Sequence, residues 1–144
     1  MNPAARLIMH AMEHTVPFTR LLGIRGESVE PGRAVLVLPV DERFIGDMRR
    51  PALHGGVLSA LIDTAGGLAA WSALGEHESV STIDLRIDYL EPARVHGTLR
   101  AEAELVRKGN RVCHVRVALT QEGKLVAEGR AVYNIHRHAA GPAE

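Results

Sequence analysis

Residues 54–74 read HGGVLSALIDTAGGLAAWSAL, and this stretch decides the fold. It is rich in leucine and alanine, holds no proline and carries one carboxylate, Asp63. Leucine and alanine favour helix, whereas proline would break it. The stretch therefore predicts one helix of about 30 Å, roughly the diameter of a small domain.

The two sides of this helix differ in character. At about 100° per residue, one side is apolar and is expected to press against a sheet. That side holds Leu58, Leu61, Ile62, Ala65 and Ala69. The opposite side is small rather than charged, with Gly56, Ser59, Ala60, Asp63, Gly66, Gly67 and Ala70. Small residues permit close approach, so this side is expected to meet another backbone or a ligand.

Strands precede and follow the helix. Alternation of apolar and polar residues predicts them at 24–30, 33–40, 80–90, 97–106, 111–120 and 124–136. Residues 41–51 are expected to form a loop. In the strand after the helix, the buried face is expected to hold Ile83, Leu85, Ile87 and Tyr89. Short connections make the last three strands antiparallel neighbours. One long helix against an antiparallel sheet is an α+β architecture.

The remaining segments complete the organisation of the chain. Residues 1–22 are expected to form a helical segment, interrupted at Pro17, ended by Gly23, with Leu7, Ile8 and Met12 on its buried side. The length predicts a single domain over residues 1–137. Residues 138–144 are expected to be a disordered tail.

Composition excludes several functional classes. Seventeen basic and seventeen acidic side chains give a net charge of zero, which argues against a nucleic-acid binder. The single cysteine, Cys113, excludes an intrachain disulfide. No apolar run reaches the roughly 18 residues that cross a membrane. The first residues also lack a signal-peptide pattern, so we expect a cytoplasmic protein without membrane contact.

Asp63 and the glycines at 55 and 56 are the candidate chemical groups. Aspartate near a helix is usually a surface or capping residue, but Asp63 is the only charge between His54 and Gly75. A carboxylate on such a face suits a general base or a nucleophile. Glycines at a helix start leave its unpaired N–H groups open to a developing oxyanion, although the same pair also fits an ordinary helix entrance.

The spacing between these groups predicts an oligomer. Asp63 lies about 12 Å along the helix axis from the N–H groups of Gly55 and Gly56, too far for both to reach one carbonyl carbon. A second, antiparallel copy could bring them together. The sequence thus predicts a homodimer with composite sites, or a dimer of dimers.

Three stretches together resemble one family. LHGGVLSALIDTAGGLAA (53–70), VEPGRAVLVLPV (29–40) and STIDLRIDYLEPAR (81–94) resemble the hotdog-fold acyl-CoA thioesterases, most closely the phenylacetate-pathway type. The resemblance covers roughly residues 21–135. It implies a central helix wrapped by an antiparallel sheet, an acyl-CoA substrate, a homo-oligomer, and no metal or other cofactor.

The resemblance also implies site residues. Asp63 matches the catalytic carboxylate, Gly55 the residue whose N–H polarises the thioester carbonyl, with the Gly56 N–H nearby, and His54 the motif histidine. Basic side chains hold the phosphates of CoA in such proteins, and the candidates are Arg94, Lys108 and Arg111.

Two positions depart from the family pattern. Relatives place Asn or Gln six residues before the histidine to orient water, whereas this chain has Met48 there and Asp47 one residue earlier. Asp47 takes that role if the loop carries one extra residue. Where relatives often have Ser or Thr four residues after the acid, this chain has Gly67.

Other functions remain open at this point. IGDMRRPALH (45–54) is similar to the loop of hotdog-fold enoyl-CoA hydratases, which would use Asp47 and His54, but its spacing is longer and it lacks Asn. The same fold also hosts non-catalytic acyl-CoA-binding proteins. His10 and His14 match a zinc-protease pattern, for which a third ligand is missing and a solvated helix is the better interpretation.

Overall fold

Three helices and eight strands make up residues 3–139, which a computed structural model describes. The helices are α1 (Pro3–Thr15), α2 (Pro17–Leu22) and α3 (Gly55–Trp71), and a 3-10 turn spans Glu42–Phe44. The strands are β1 (Arg25–Glu30), β2 (Arg33–Pro39), β3 (Ile45–Asp47), β4 (Ala52–Leu53), β5 (Glu78–Tyr89), β6 (Thr98–Lys108), β7 (Val112–Gln121) and β8 (Lys124–Arg137).

Six strands form one antiparallel sheet in the order β1-β2-β6-β7-β8-β5. The three consecutive strands β6, β7 and β8 are neighbours, as their short connections predict. Strand β2 pairs with β6 and β8 with β5, so elements from both sides of α3 in sequence join one sheet. Helix α3 packs against this sheet, which is the predicted α+β hotdog arrangement.

The apolar side of α3 is buried as predicted. Leu61, Ile62, Ala65 and Ala69 are fully inaccessible, and Leu58 nearly so. Strand β8 contributes Gly129 beneath the helix, where a methyl group would overlap the Ile62 side chain. On the small side Gly66 and Ala70 are buried as well, and Gly66 lies directly against the Tyr133 ring.

The N-terminal helices cover the start of the sheet. Met12 is buried, whereas Leu7 is 70% exposed, so its predicted burial was wrong. Helix α1 packs on β1, where the Glu13 carboxylate accepts a hydrogen bond from the Gly26 N–H. Gly23 ends α2 with a left-handed φ of 75°, which confirms the predicted stop.

Two further segments differ from the sequence prediction. Residues 41–51 are not a simple loop, because they hold the 3-10 turn and β3, which pairs with β4. In β5 the pairing with β8 shifts between Thr82 and Asp84, and Ile83 at this bulge is 58% exposed. The predicted burial was therefore wrong for Ile83 and also for Tyr89, which is 53% exposed, while Leu85 and Ile87 are half-buried.

The C-terminal strand is followed by two described residues. The His138 N–H donates to the His77 carbonyl, 2.8 Å away. Residues 140–144 of the expected tail lie outside the described residues, and so do residues 1 and 2 of the N-terminal segment. The domain limits stay a prediction.

Candidate active site

The start of α3 is fixed by a short hairpin and a histidine cap. The His54 N–H donates to the Phe44 carbonyl at 2.7 Å, and Gly46 of β3 lies so close that a Cβ there would be 2.6 Å from the His54 Cα. The His54 Nδ1 accepts the Gly56 N–H at 2.9 Å, so a neutral ring carries its proton on Nε2. His54 thus caps the helix, and the Gly56 N–H is already engaged.

The Gly55 N–H is the open donor at this end of the helix. Within residues 3–139 no acceptor pairs with it. The ring of Tyr89 covers Gly55 closely, since a Cβ there would be 3.2 Å from the Tyr89 Cε1. The Tyr89 hydroxyl pairs with the Ser59 Oγ at 2.6 Å, and both hydroxyls contact the Gly55 carbonyl, the Ser59 Oγ at 2.9 Å. Tyr89 and Ser59 therefore fix the first turn around an unpaired amide.

Asp63 lies in the middle of α3 and is held by two hydroxyl groups. Its Oδ1 accepts from the Thr82 Oγ1 at 2.9 Å and from the Tyr133 hydroxyl at 3.2 Å. The same phenol donates to the Asp63 carbonyl at 2.9 Å. Asp63 is half-buried and does not cap a helix, so it is neither an exposed surface residue nor a capping residue.

Tyr133 is the most deeply buried partner of this carboxylate. Its side chain is 1% exposed, and burial, followed by the charge of Asp63, raises the pKa of the phenol far above its usual range. The phenol therefore stays protonated and acts as a fixed donor. Gly66 and Gly67 make room for it, because the ring lies against this part of the helix.

Sequence reasoning missed Thr82, Tyr89 and Tyr133 as site residues. One signal was present for Tyr133. It shares the buried face of β8 with Ala131 and Ile135, at a spacing of two residues, and this face packs against the helix. A phenol on that face needs a polar partner. The adjacent glycines 66 and 67 are the positions of α3 against which the Tyr133 ring packs.

Asp47 and Arg94 line a separate groove near the N-terminal end of α3. The groove has a volume of about 690 Å³ and also holds Arg50 and Lys124. The Asp47 Oδ1 accepts the Arg49 N–H at 2.9 Å, and this bond is the main cause that lowers the pKa of Asp47. Asp47 is therefore an acceptor at neutral pH. The buried amide of Gln121 binds the backbone of Arg94 and His96, which fixes one wall of the groove.

Comparison with known proteins places this arrangement in a family. The thioesterase superfamily model matches residues 51–128, more than half of the chain, including His54, Gly55 and Asp63. The medium/long-chain acyl-CoA thioesterase YigI of Salmonella typhimurium is 34% identical over 92% of this chain and 94% of its own. The chain belongs to the thioesterase superfamily. The predicted family and the predicted enzyme class, a hydrolase of thioesters, are thereby confirmed.

Other relatives of this thioesterase agree. Human acyl-coenzyme A thioesterase 13 is 29% identical over 90% of this chain and 93% of its own. A phenylacetic acid degradation-related protein from Ralstonia eutropha JMP134 has a solved structure that superposes with a TM-score of 0.78 and 28% identity, over 88% of this chain and 98% of that one. The hotdog fold is therefore confirmed, while the narrower phenylacetate-type branch stays a prediction.

Two predicted CoA-binding residues lie apart from the first turn of α3 in this thioesterase. The Lys108 Nζ donates to the Ala73 carbonyl at 2.9 Å, just beyond the opposite end of the helix. Arg111 precedes β7 near the same end, where its carbonyl accepts the Ile135 N–H. One chain therefore brings Arg94 near Asp47, but neither Lys108 nor Arg111 near Gly55.

The histidine pair in α1 gains no further ligand. The rings of His10 and His14 are 4.3 Å apart, and residues 3–139 contain no group of three side chains that could hold a metal ion. In the same range no helix has the length and apolar character needed to span a bilayer. The cytoplasmic location stays a prediction.

Proposed function

We propose that this protein hydrolyses acyl-CoA thioesters to a carboxylic acid and free CoA. The observation that carries the proposal is the Asp63 carboxylate, half-buried inside a helix and held by the hydroxyls of Thr82 and Tyr133. Fixing a base or nucleophile in one position lowers the cost of reaching the reactive geometry. The names of YigI and human acyl-coenzyme A thioesterase 13 support an acyl-CoA substrate.

The open amide of Gly55 supplies the second half of the chemistry. Its N–H points from the positive end of the α3 dipole and polarises the thioester carbonyl, stabilising the oxyanion that forms on attack. The cap from His54 occupies the Gly56 N–H, so Gly55 acts as the main donor. Tyr89 and Ser59 hold the Gly55 carbonyl, which orients this peptide unit.

Asp63 acts by one of two routes. As a general base it takes a proton from water, the water oxygen bonds to the carbonyl carbon, and the C–S bond breaks to release the CoA thiolate. As a nucleophile its own oxygen bonds to that carbon, and CoA leaves. Water then hydrolyses the resulting mixed anhydride. Thr82 and Tyr133 position the carboxylate in either route.

We propose that two copies of the chain combine to form each site. Gly55 and Asp63 are about 12 Å apart along one helix, so the carbonyl is bound by Gly55 of one copy and attacked by Asp63 of the other. Strand β5 ends the sheet and presents 12 residues of backbone on its open edge, with Ile83 and Tyr89 exposed. Edges of this length favour pairing with a second copy.

The groove beside Asp47 is the candidate site for the phosphates of CoA. Its lining balances three cations, Arg50, Arg94 and Lys124, against three carboxylates, Asp47, Glu91 and Glu122. Lys124 pairs with Glu91, so Arg50 and Arg94 are the side chains that would bind a phosphate there. Lys108 and Arg111 would contribute only from the partner copy, whose helix end lies nearby in an antiparallel pair. The Asp47 carboxylate can accept a hydrogen bond from the O–H of the attacking water and so orient it, in the place of the family's Asn or Gln.

The substitution Asp63→Asn tests the proposal. It keeps the size of the side chain and removes both base and nucleophile, so we expect kcat for a medium-chain acyl-CoA to fall at least a hundredfold, with KM changing far less. Glu104→Gln, at an exposed residue of β6 that pairs with Arg116 away from β5, is the matched carboxylate-to-amide control and should retain wild-type turnover.

Crotonyl-CoA hydration, measured beside thioester cleavage, separates the competing functions. Asp47→Asn is expected to change kcat less than tenfold, whereas a hydratase would need Asp47 and His54 and tolerate loss of Asp63. Retention of more than a tenth of wild-type turnover in Asp63→Asn, at a matched melting temperature, would show that Asp63 is structural. Binding of acyl-CoA without any turnover in the wild type would indicate a binding protein.

A further inference from the structure

Four arginines surround a depression on the outer face of the sheet, the face that points away from α3. The depression has a volume of about 460 Å³ and is formed by residues of β5, β6, β7 and β8. Its charged and titratable side chains are Arg86, Arg107, Arg116, Arg130, His114 and Asp84. With a neutral histidine, the four arginines oppose a single carboxylate, in a chain whose net charge is zero. The depression is therefore a local concentration of positive charge.

The register of the strands places three of these arginines in one row. Arg86 of β5 lies opposite Arg130 of β8, and Arg130 lies opposite Arg116 of β7. Neighbouring strands are about 4.8 Å apart, so the three side chains leave the sheet within roughly 10 Å of one another. Like charges directly opposite each other destabilise a sheet. An anion that lies across this arginine row would remove that repulsion.

Neighbouring carboxylates neutralise the arginine row only in part. Arg116 pairs with Glu104 at 3.2 Å, and Arg86 pairs with Asp88 at 3.3 Å. All four side chains are exposed, and exposed pairs of this kind contribute little free energy, so a phosphate can replace the carboxylates. Arg130, in the middle of the row, has no ion-pair partner within residues 3–139. Its guanidinium group is therefore available to a ligand.

Apolar side chains contribute to the same depression. The half-buried Val132 of β8 and the exposed Val106, at the register shift of β6, line it together with the arginines. Guanidinium groups also stack on the faces of aromatic rings. A ligand that joins phosphates to an organic ring, as a nucleotide does, would therefore find partners for both of its parts.

We propose that this depression binds a soluble polyphosphate anion, of the kind carried by nucleoside di- and triphosphates. The planar guanidinium group binds phosphate oxygens through paired N–H donors, and linked phosphates match a row of such groups. The depression shares no lining residue with the groove beside Asp47, and it lies on the opposite face of the sheet from the contact between Tyr133 and Asp63. The site is thus separate from the one proposed for hydrolysis and does not depend on it.

A flat anionic membrane fits this face less well than a small anion does. The adjacent row of the same face carries the exposed carboxylates of Glu102, Glu128 and Asp88. A bilayer laid on the face would bring its phosphates against these carboxylates, and the like charges repel each other. A small anion inside the depression avoids this contact.

Titration calorimetry of the unmodified protein with inorganic tripolyphosphate tests the site. We expect saturable binding at submillimolar concentration, and we expect Arg130→Gln to weaken the affinity at least tenfold, because it removes the central charge-assisted contact. Arg130→Gln also relieves the repulsion between neighbouring arginines, so it should not lower the Tm. Arg107→Gln, at another lining position, should weaken binding in the same direction.

The matched control is Arg100→Gln. Arg100 lies on the same face outside the depression, where it pairs with Glu27, so this variant removes an equal charge and should change the affinity less than threefold. No binding by the wild type, or equal affinities of wild type and Arg130→Gln, would overturn the assignment. Binding of tripolyphosphate without binding of ATP would exclude nucleotides and overturn it as well.

Three other outcomes would each assign the positive charge to a different role and refute the proposal. Binding that is lost in Arg94→Gln but kept in Arg130→Gln would locate the anion in the groove beside Asp47. Arg130-dependent cosedimentation with vesicles of phosphatidylcholine and phosphatidylglycerol, without binding of tripolyphosphate, would identify a membrane surface. A lower assembly mass of Arg130→Gln in light scattering, again without anion binding, would show that the arginine row contacts a second copy. None of these measurements uses turnover, so a failure of the proposed hydrolysis leaves their result unchanged.

Discussion

Alanine substitutions at the adjacent glycines of α3 are expected to have opposite effects on stability. Within a helix, Gly→Ala contributes about 0.8–1 kcal/mol. At Gly67 the new methyl would lie 3.5 Å from the Tyr133 Cε1, an ordinary contact, so the full gain should appear. At Gly66 it would overlap the Tyr133 hydroxyl and lie 3.2 Å from Cζ.

At Gly66 the destabilisation from displacing Tyr133 exceeds the stabilisation from the higher helix propensity of alanine. Tyr133 is fully enclosed, so its ring must shift and its bond to the Asp63 carbonyl weakens. Overpacking costs about 1–3 kcal/mol and the lost hydrogen bond about 1 kcal/mol. Gly66→Ala should therefore destabilise the protein by about 1–3 kcal/mol, while Gly67→Ala stabilises it by about 1 kcal/mol.

Thermal unfolding at one fixed protein concentration measures this difference. The concentration must be fixed because an oligomer unfolds at a temperature that depends on it. For a chain of this size the two variants should differ by roughly 5–15 °C in Tm. A Gly66→Ala protein as stable as Gly67→Ala would refute the role of the glycine pair in admitting Tyr133.

Two further measurements probe the assembly and the sheet surface. Light scattering at micromolar concentration should give at least twice the mass of one chain, and a monomer mass would remove the composite site. Glu27 accepts hydrogen bonds from Arg100, which lower the pKa of Glu27. Because the folded pKa lies below the unfolded one, the advantage of wild type over Glu27→Gln in urea unfolding should be present above about pH 5 and shrink as the pH falls towards 3. An advantage that does not change with pH would contradict that pairing.

Local pattern was enough to predict the main elements of the fold. The long helix and the six main strands follow from composition and periodicity, and short turns correctly paired β6, β7 and β8. Burial of single residues was predicted less well. Leu7 matches the apolar stripe of α1 but is exposed, since exposure depends on where neighbouring elements end.

The sequence also indicated only part of the candidate site, namely the residues that lie close together in the chain. His54, Gly55 and Asp63 are recognisable because they lie within ten residues and interrupt an apolar stretch. Thr82 and Tyr133 reach Asp63 from strands 19 and 70 residues away, and no local pattern records that contact. Their role depends on β8 pairing with β5 and crossing α3, which is a property of the whole sheet.

The bulge in β5 sets the phase of that strand. Side chains of a regular strand alternate between faces, so residues 82 and 89, an even and an odd position, would point in opposite directions. The shift in register at Ile83 inverts the alternation, and both Thr82 and Tyr89 meet α3, one at Asp63 and the other at Gly55. The single extra residue at position 83 thus lets one strand contact both Asp63 and Gly55 of α3. Without the extra residue, Thr82 and Tyr89 would point to opposite faces of the sheet, and only one of the two contacts with α3 could form.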